Sequence, residues 1–331
     1  MNAAPPAATP TPPGRFGPLI ASLKRTWNAP ARKIAVSILA LAGAAWLIAH
    51  VLRGFSWALF VTALRATPGW AIAAAIVLTP ASYVCLAVTE WFCLHSLGHR
   101  LSWHRVARAA FASYAVSNSL GFSLATGAAT RLRLYSGWGL GPGAITATTL
   151  VAGTAVSLSG VVTGGLGMML RPAGFAGAFH CSPAVIEAVG GVLLSPALLW
   201  FLTLRRPAQG QHRIARSLAG RAFALAAAIA DWALSGGALY VLLPHPTLHG
   251  FPEFLTVFTL GSLVSAATGV PGGIGVFEAV VLGLSALLAR ANETATALIL
   301  YRVIYSLGPL AVMSLVIGGS HLIKRRRGQG A

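Results

Sequence analysis

Six apolar runs constrain what this chain can fold into: 34–52, 70–97, 145–170, 184–204, 222–243 and 294–323. Each is close to the roughly 20 residues that carry a helix across about 30 Å of hydrocarbon. In that medium every backbone N–H and C=O must be paired within the protein, and a helix pairs them within the segment itself. The pattern therefore predicts an all-α polytopic membrane protein. Composition agrees: 56% of the 331 residues are hydrophobic and 9% charged, against about 25% charged in soluble chains.

The formal charge of +18 looks like a nucleic-acid signal, but its distribution excludes that partner. The basic residues fall in short clusters between apolar runs, as the positive-inside rule produces. They also suit a cytoplasmic face that holds anionic lipid. Lys24, Arg25, Arg32 and Lys33 place the N-terminus in the cytoplasm, and Lys324 to Arg327 place the C-terminus there. The expected organisation is a disordered, proline-rich N-terminus (1–30), one integral membrane domain (31–323) and a basic tail (324–331).

The basic clusters also set a parity. His99 to Arg108, Arg131 with Arg133, and Arg205 to Arg221 all mark the cytoplasmic side. Both flanks of 109–133 are then cytoplasmic, so that piece dips in and returns. Its bend is expected at Ser117–Gly121 or at Ala125–Gly127. In the second half, 254–288 enters and leaves from outside. The count is about eight hydrophobic segments: six full spans and two re-entrant or broken helical hairpins. A short amphipathic piece at 54–65 is expected on the outer surface, and residues 171–183 as an outer loop.

The second hairpin bends at GVPGGIGVFEA (269–279). Pro271, Gly272, Gly273 and Gly275 prevent a helix from passing undisturbed, and Val276 restarts one. That helix start offers free N–H groups and a positive dipole end to an anion; a tight turn between packed helices is the plainer alternative. Ser123–Gly127 matches Ser265–Gly269 in sequence, and Leu134-Tyr135 then falls opposite Val276-Phe277. With opposite entry faces, this points to an inverted repeat, an arrangement that puts transporter sites near mid-membrane.

Charges inside apolar runs are the candidate site residues. Glu90, Asp231, Glu278 and Arg302 each cost about 2.5–3.5 kcal/mol on insertion scales, so they should face the interior, paired or wet. Glu278 can cap the helix after PGGIG, and Arg302 is its expected partner. Arg131 and Arg133 are either cytoplasmic anchors or holders of a phosphate, with Glu90 placed to pair with one of them. Asp231 lies roughly 15 Å into its span, where helix–helix hydrogen bonding is the plainer role. Cys85, Cys93 and Cys181 show no CxxC spacing, and His95 with His99 lack a third ligand. No metal site, disulfide framework, Walker loop or nucleophile–base pair is visible, so no cofactor is expected.

Three stretches, GAATRLRLYSGWGLG (127–141), GVPGGIGVFEAVVL (269–282) and LYRVIYSLGPL (300–310), resemble the membrane domain of the multiple peptide resistance factor family. Its members are bifunctional lysylphosphatidylglycerol synthases and flippases, with single-domain flippase-like relatives of about this length. The resemblance implies transfer of an anionic or aminoacylated phospholipid between leaflets of a bacterial inner membrane. It implies a substrate-binding set of Arg131, Arg133, Tyr135, Pro271, Gly272, Gly273, Gly275, Glu278, Tyr301 and Arg302. In bifunctional members a soluble aminoacyl-transferring domain follows the membrane part, and this chain stops at Ala331. Synthase activity is therefore not expected of it, and a separate synthase is a possible partner. The rival expectations are a transferase acting on lipid-linked substrates and a membrane subunit that recruits a synthase through Arg205 to Arg221.

Overall fold

The computed structural model describes residues 57–120, 123–203, 218–244, 246–268, 275–287 and 297–315. Every regular element among them is helical: α1 (Trp57–Ala66), α2 (Gly69–Ser96), α3 (Trp103–Leu120), α4 (Ser123–Ser136), α5 (Pro142–Leu170), α6 (Pro172–Phe179), α7 (Pro183–Thr203), α8 (Leu218–Tyr240), α9 (Phe251–Thr268), α10 (Val276–Leu287) and α11 (Ala297–Leu315). A 3-10 turn at Leu248–Gly250 leads into α9. The N-terminal region, the expected span at 34–52, the bend residues Pro271, Gly272 and Gly273, and the basic tail lie outside the described residues, as does most of the Arg205–Arg221 cluster.

Among the described residues five helices are long and apolar enough to cross a membrane: α2, α5, Ala222–Tyr240 of α8, Leu248–Thr268 and α11. The pair α6 and α7, bent by 113°, makes a sixth if it counts as one span. Large apolar side chains stand exposed along them, among them Ile76, Val77 and Val84 on α2, Val185 and Val192 on α7, and Leu315 on α11. In water such faces would be a liability; against lipid tails they are the expected outer surface. The protein is a multi-pass helical membrane protein.

Helix α5 is central, packing on α2, α4, α7, α8 and α9. Small residues let it do so. A Cβ on Gly165 would stand 2.8 Å from the Gly190 carbonyl of α7, and one on Gly190 would stand 2.7 Å from the Gly165 carbonyl. Backbone thus meets backbone, the close approach that small residues permit between membrane helices. On the other side Trp232 of α8 lies over Gly160 and donates Nε1–H to the Val156 carbonyl at 2.9 Å. Thr256 of α9 donates to the Gly164 carbonyl at 3.3 Å.

Both expected hairpins are helix–break–helix units whose legs pack together, α3 with α4 and α9 with α10. Neither α3 nor α4 is long and apolar enough to span. In the second hairpin α9 with its 3-10 turn is long and apolar enough to cross, and α10 is described over Val276–Leu287.

Three details differ from the sequence expectations. Of the two places expected for the first bend, Ser117–Leu120 lies inside α3 and Ala125–Gly127 inside α4, while Gly121 lies outside the described residues. The matched pentapeptides therefore sit differently: Ser123–Gly127 opens the helix after its break, whereas Ser265–Thr268 closes the helix before its own. Likeness among small residues set that alignment, and small residues suit a helix start and a helix end equally. Finally, 171–183 is not a plain loop. Pro172 opens α6 at a position where a missing N–H costs nothing, and His180, in the left-handed region at φ 52°, ends it and turns the chain into α7.

Candidate functional site

The intramembrane charges gather into three polar groups. In the first, Arg131 of α4 reaches Glu90 of α2 through two parallel bonds, Nε to Oε1 at 2.9 Å and Nη2 to Oε2 at 2.7 Å. Tyr135, one turn beyond Arg131, donates its hydroxyl to the same Oε1 at 2.7 Å. The Tyr114 ring lies 4.9 Å from the guanidinium carbon, giving the cation a π face as well. The two charged side chains are 5% and 0% exposed. Such a pair repays its desolvation only when the geometry is good and further hydrogen bonds complete it; here the bidentate fork and Tyr135 do so.

Gly127 makes this geometry possible. A Cβ there would lie 2.7 Å from Ser117 Oγ and 2.9 Å from Arg131 Nη1. The glycine leaves the space across which Arg131 folds back along its own helix. Arg133, two residues on, points elsewhere and is exposed; it takes no part in the buried group.

The second group forms where α10 begins. Gly275 has φ +83°, a conformation that costs a side-chain-bearing residue about 1–2 kcal/mol. From there Val276 starts the helix, and Glu278 turns back so that Oε2 accepts the Gly275 N–H at 2.8 Å. This is the acidic half of a capping box. Its other oxygen, Oε1, accepts Nε–H of Arg302 on α11. These side chains are 22% and 21% exposed, so the pair is reachable in a way that Arg131–Glu90 is not. Tyr301 is buried beside it, its ring edge-on to Phe258 at 5.9 Å and near Phe277 at 6.3 Å.

The third group was not apparent from residue types, except for Asp231. Asp231 on α8 is 5% exposed and accepts the Ser82 hydroxyl of α2. Ser82 Oγ is also 2.9 Å from the Tyr305 hydroxyl. Asn118 of α3 donates to the Tyr83 hydroxyl at 3.3 Å, and Tyr83 in turn donates to the Tyr305 carbonyl at 3.4 Å. Ser119 donates to the Ser306 carbonyl at 2.9 Å. Both carbonyls belong to Arg302–Leu307, where α11 widens into a π-helix. Such turns are rare and frequently mark functional positions. Tyr301 and Tyr305, four residues apart on α11, stack at 5.0 Å.

Glu90, Arg131 and Tyr135 therefore come together, as do Gly275, Glu278, Arg302 and the neighbouring Tyr301. Asp231 stands in its own group, and Arg133 stands outside all three. Residues 34–312 match the family model described as "Lysylphosphatidylglycerol synthase TM region". Among curated proteins the chain is similar to the uncharacterized protein slr0712 of Synechocystis sp., at 28% identity over 83% of this chain and 87% of the relative. It is also similar to the inner membrane protein YbhN of Escherichia coli, at 27% identity over 72% of this chain and 77% of that one. The family match runs through all three polar groups and both hairpins, and on its extent the chain belongs to the lysylphosphatidylglycerol synthase TM region family.

Proposed function

We propose that this protein moves an anionic or aminoacylated phospholipid between the leaflets of a bacterial inner membrane. The observation that carries the reading is the part-exposed Glu278–Arg302 pair at the start of α10. A phosphate arriving there meets a guanidinium and the positive end of α10, both of which favour it. As Arg302 turns to the phosphate, the Glu278 carboxylate is released from it and can take a headgroup ammonium. Gly275 keeps the backbone open at the break, and Tyr301 walls the position. Pro271, Gly272 and Gly273 belong to the same proposed binding turn. Arg131, Tyr135 and the exposed Arg133 form the proposed counterpart on the other hairpin, with Arg131 and Tyr135 closed on Glu90. The likeness to the inner membrane protein YbhN of E. coli supports the inner-membrane placement, and the basic clusters support cytoplasmic termini.

The test is leaflet exchange in reconstituted vesicles containing phosphatidylglycerol, with a fluorescent phosphatidylglycerol analogue quenched from outside. Wild-type protein should accelerate exchange, and Glu278→Gln or Arg302→Ala should reduce it at least tenfold. Equal rates in vesicles with and without protein would overturn the reading.

The family description favours a second reading, in which the chain serves as the membrane part of a lysylphosphatidylglycerol synthase system or of another lipid-linked transferase. Co-purification of a synthase, lost on neutralising Arg205 to Arg221, would support it over transport alone.

A further inference from the structure

We infer that Asp231 is a proton-binding site at mid-membrane, whose loading is coupled to the movement of the protein's cargo. The coupling rests on the transport reading above; the proton site does not. Asp231 is the central residue of the span Ala222–Tyr240 and is buried. Among the described residues the ion pairs are Arg131–Glu90 and Arg302–Glu278, and neither gives Asp231 a countercharge.

Its surroundings are hydroxyls. The titratable groups that face it are Tyr83 and Cys85 of α2, Tyr114 of α3, and Tyr301 and Tyr305 of α11. All are acids that are neutral near pH 7. α5 carries no titratable side chain, α9 carries only Glu253 in its first turn, and the guanidinium of α11 is bonded to Glu278. Holding a charge at this depth with no cation among the described residues is costly. Proton relays are among the functions that intramembrane acids serve.

The hydrogen bonds work in both protonation states. With Asp231 ionised, Ser82 donates to it, and Tyr305 Oη is then the donor across the 2.9 Å link to Ser82. When Asp231 takes a proton, it donates to Ser82, whose own hydroxyl turns to Tyr305. One proton is gained, no bond to carbon changes, and each hydroxyl keeps a partner within this chain. Tyr305 sits in the π-helical turn next to Arg302, so a reversal at Asp231 is felt on the same helix that holds the proposed headgroup pair.

The test uses the full chain in lipid nanodiscs and in vesicles. Infrared difference spectra across a pH titration should show the carbonyl stretch of a protonated carboxylic acid. Asp231→Asn should remove that band, and Ser82→Ala should shift it without removing it. In vesicles, an imposed pH gradient should change leaflet exchange of the fluorescent phosphatidylglycerol analogue several-fold for wild type, and the ratio should fall to one in Asp231→Asn. A band that survives in Asp231→Asn, or no band in wild type at any pH, overturns the proton site. A gradient response that survives in the variant overturns the coupling. Wild-type protein that exchanges no lipid, with or without a gradient, overturns the transport reading and the coupling together, while the infrared result still decides the proton site.

Discussion

Arg131 and Glu90 are 41 residues apart in sequence and form a two-bond fork closed off from solvent. The fork ties the second leg of the first hairpin to α2, a helix that crosses the membrane. Removing one partner leaves a buried, uncompensated charge, which costs about 3–5 kcal/mol. Glu90→Gln or Arg131→Ala should therefore lower the thermal unfolding midpoint in detergent by many degrees. The combined replacement Glu90→Leu, Arg131→Met and Tyr135→Phe should recover most of the loss. If the triple variant is no more stable than either single one, the pair contributes something other than charge compensation.

Tyr135→Phe tests the third arm of that group separately. Glu90 Oε1 keeps its bond from Arg131, so only one charge-assisted hydrogen bond disappears, about 1.5–3 kcal/mol. The unfolding midpoint should fall by less than for Glu90→Gln. A loss as large as that of Glu90→Gln would mean that the hydroxyl holds the carboxylate in place.

Gly275 and Gly127 should fail for different reasons. At Gly275 nothing lies within 4 Å of an added Cβ, and the cost of Gly275→Ala is the positive φ alone, about 1–2 kcal/mol. At Gly127 the backbone is ordinary helix, and the added carbon strikes Ser117 and Arg131. Ser117→Ala should partly rescue Gly127→Ala by clearing its nearest obstacle. No second substitution on a neighbouring side chain should rescue Gly275→Ala. Unfolding midpoints of the single and double variants decide this.

Exchanging the charges of the second pair, Glu278→Arg with Arg302→Glu, restores an ion pair on paper. It also sets a cation at the start of α10 and deprives the Gly275 N–H of its acceptor, both unfavourable at that end of a helix. Leaflet exchange should stay as low in the swapped protein as in Glu278→Gln. Recovery to wild-type rate would show that the attraction between the two charges is all that matters there.

The spans and both pairings could be anticipated because each rests on a large energy. Apolar runs of span length have few folds open to them, and a lone charge within such a run must find an opposite one. Glu278 with Arg302 follows from that rule, whereas for Glu90 it leaves Arg131 and Arg133 both open, and the space that Gly127 leaves for Arg131 decides between them. The Asp231 group was hidden because serine and tyrosine enter membrane helices cheaply, and nothing in their spacing says which hydroxyls meet. Helix α6 was hidden for a related reason: eight residues of small and apolar type suit a loop at the interface as well as a helix.

The π-helical turn on α11 winds its chain more loosely than an α-helix does. One residue more is spent for nearly the same advance along the axis. Each added residue turns a helix by about 100°, so the side chains after Leu307 point roughly a quarter-turn away from where uninterrupted winding would aim them. Which stripe of the last span, Val312 and Leu315 included, greets the lipid is therefore decided by a local loosening that a hydropathy profile cannot register.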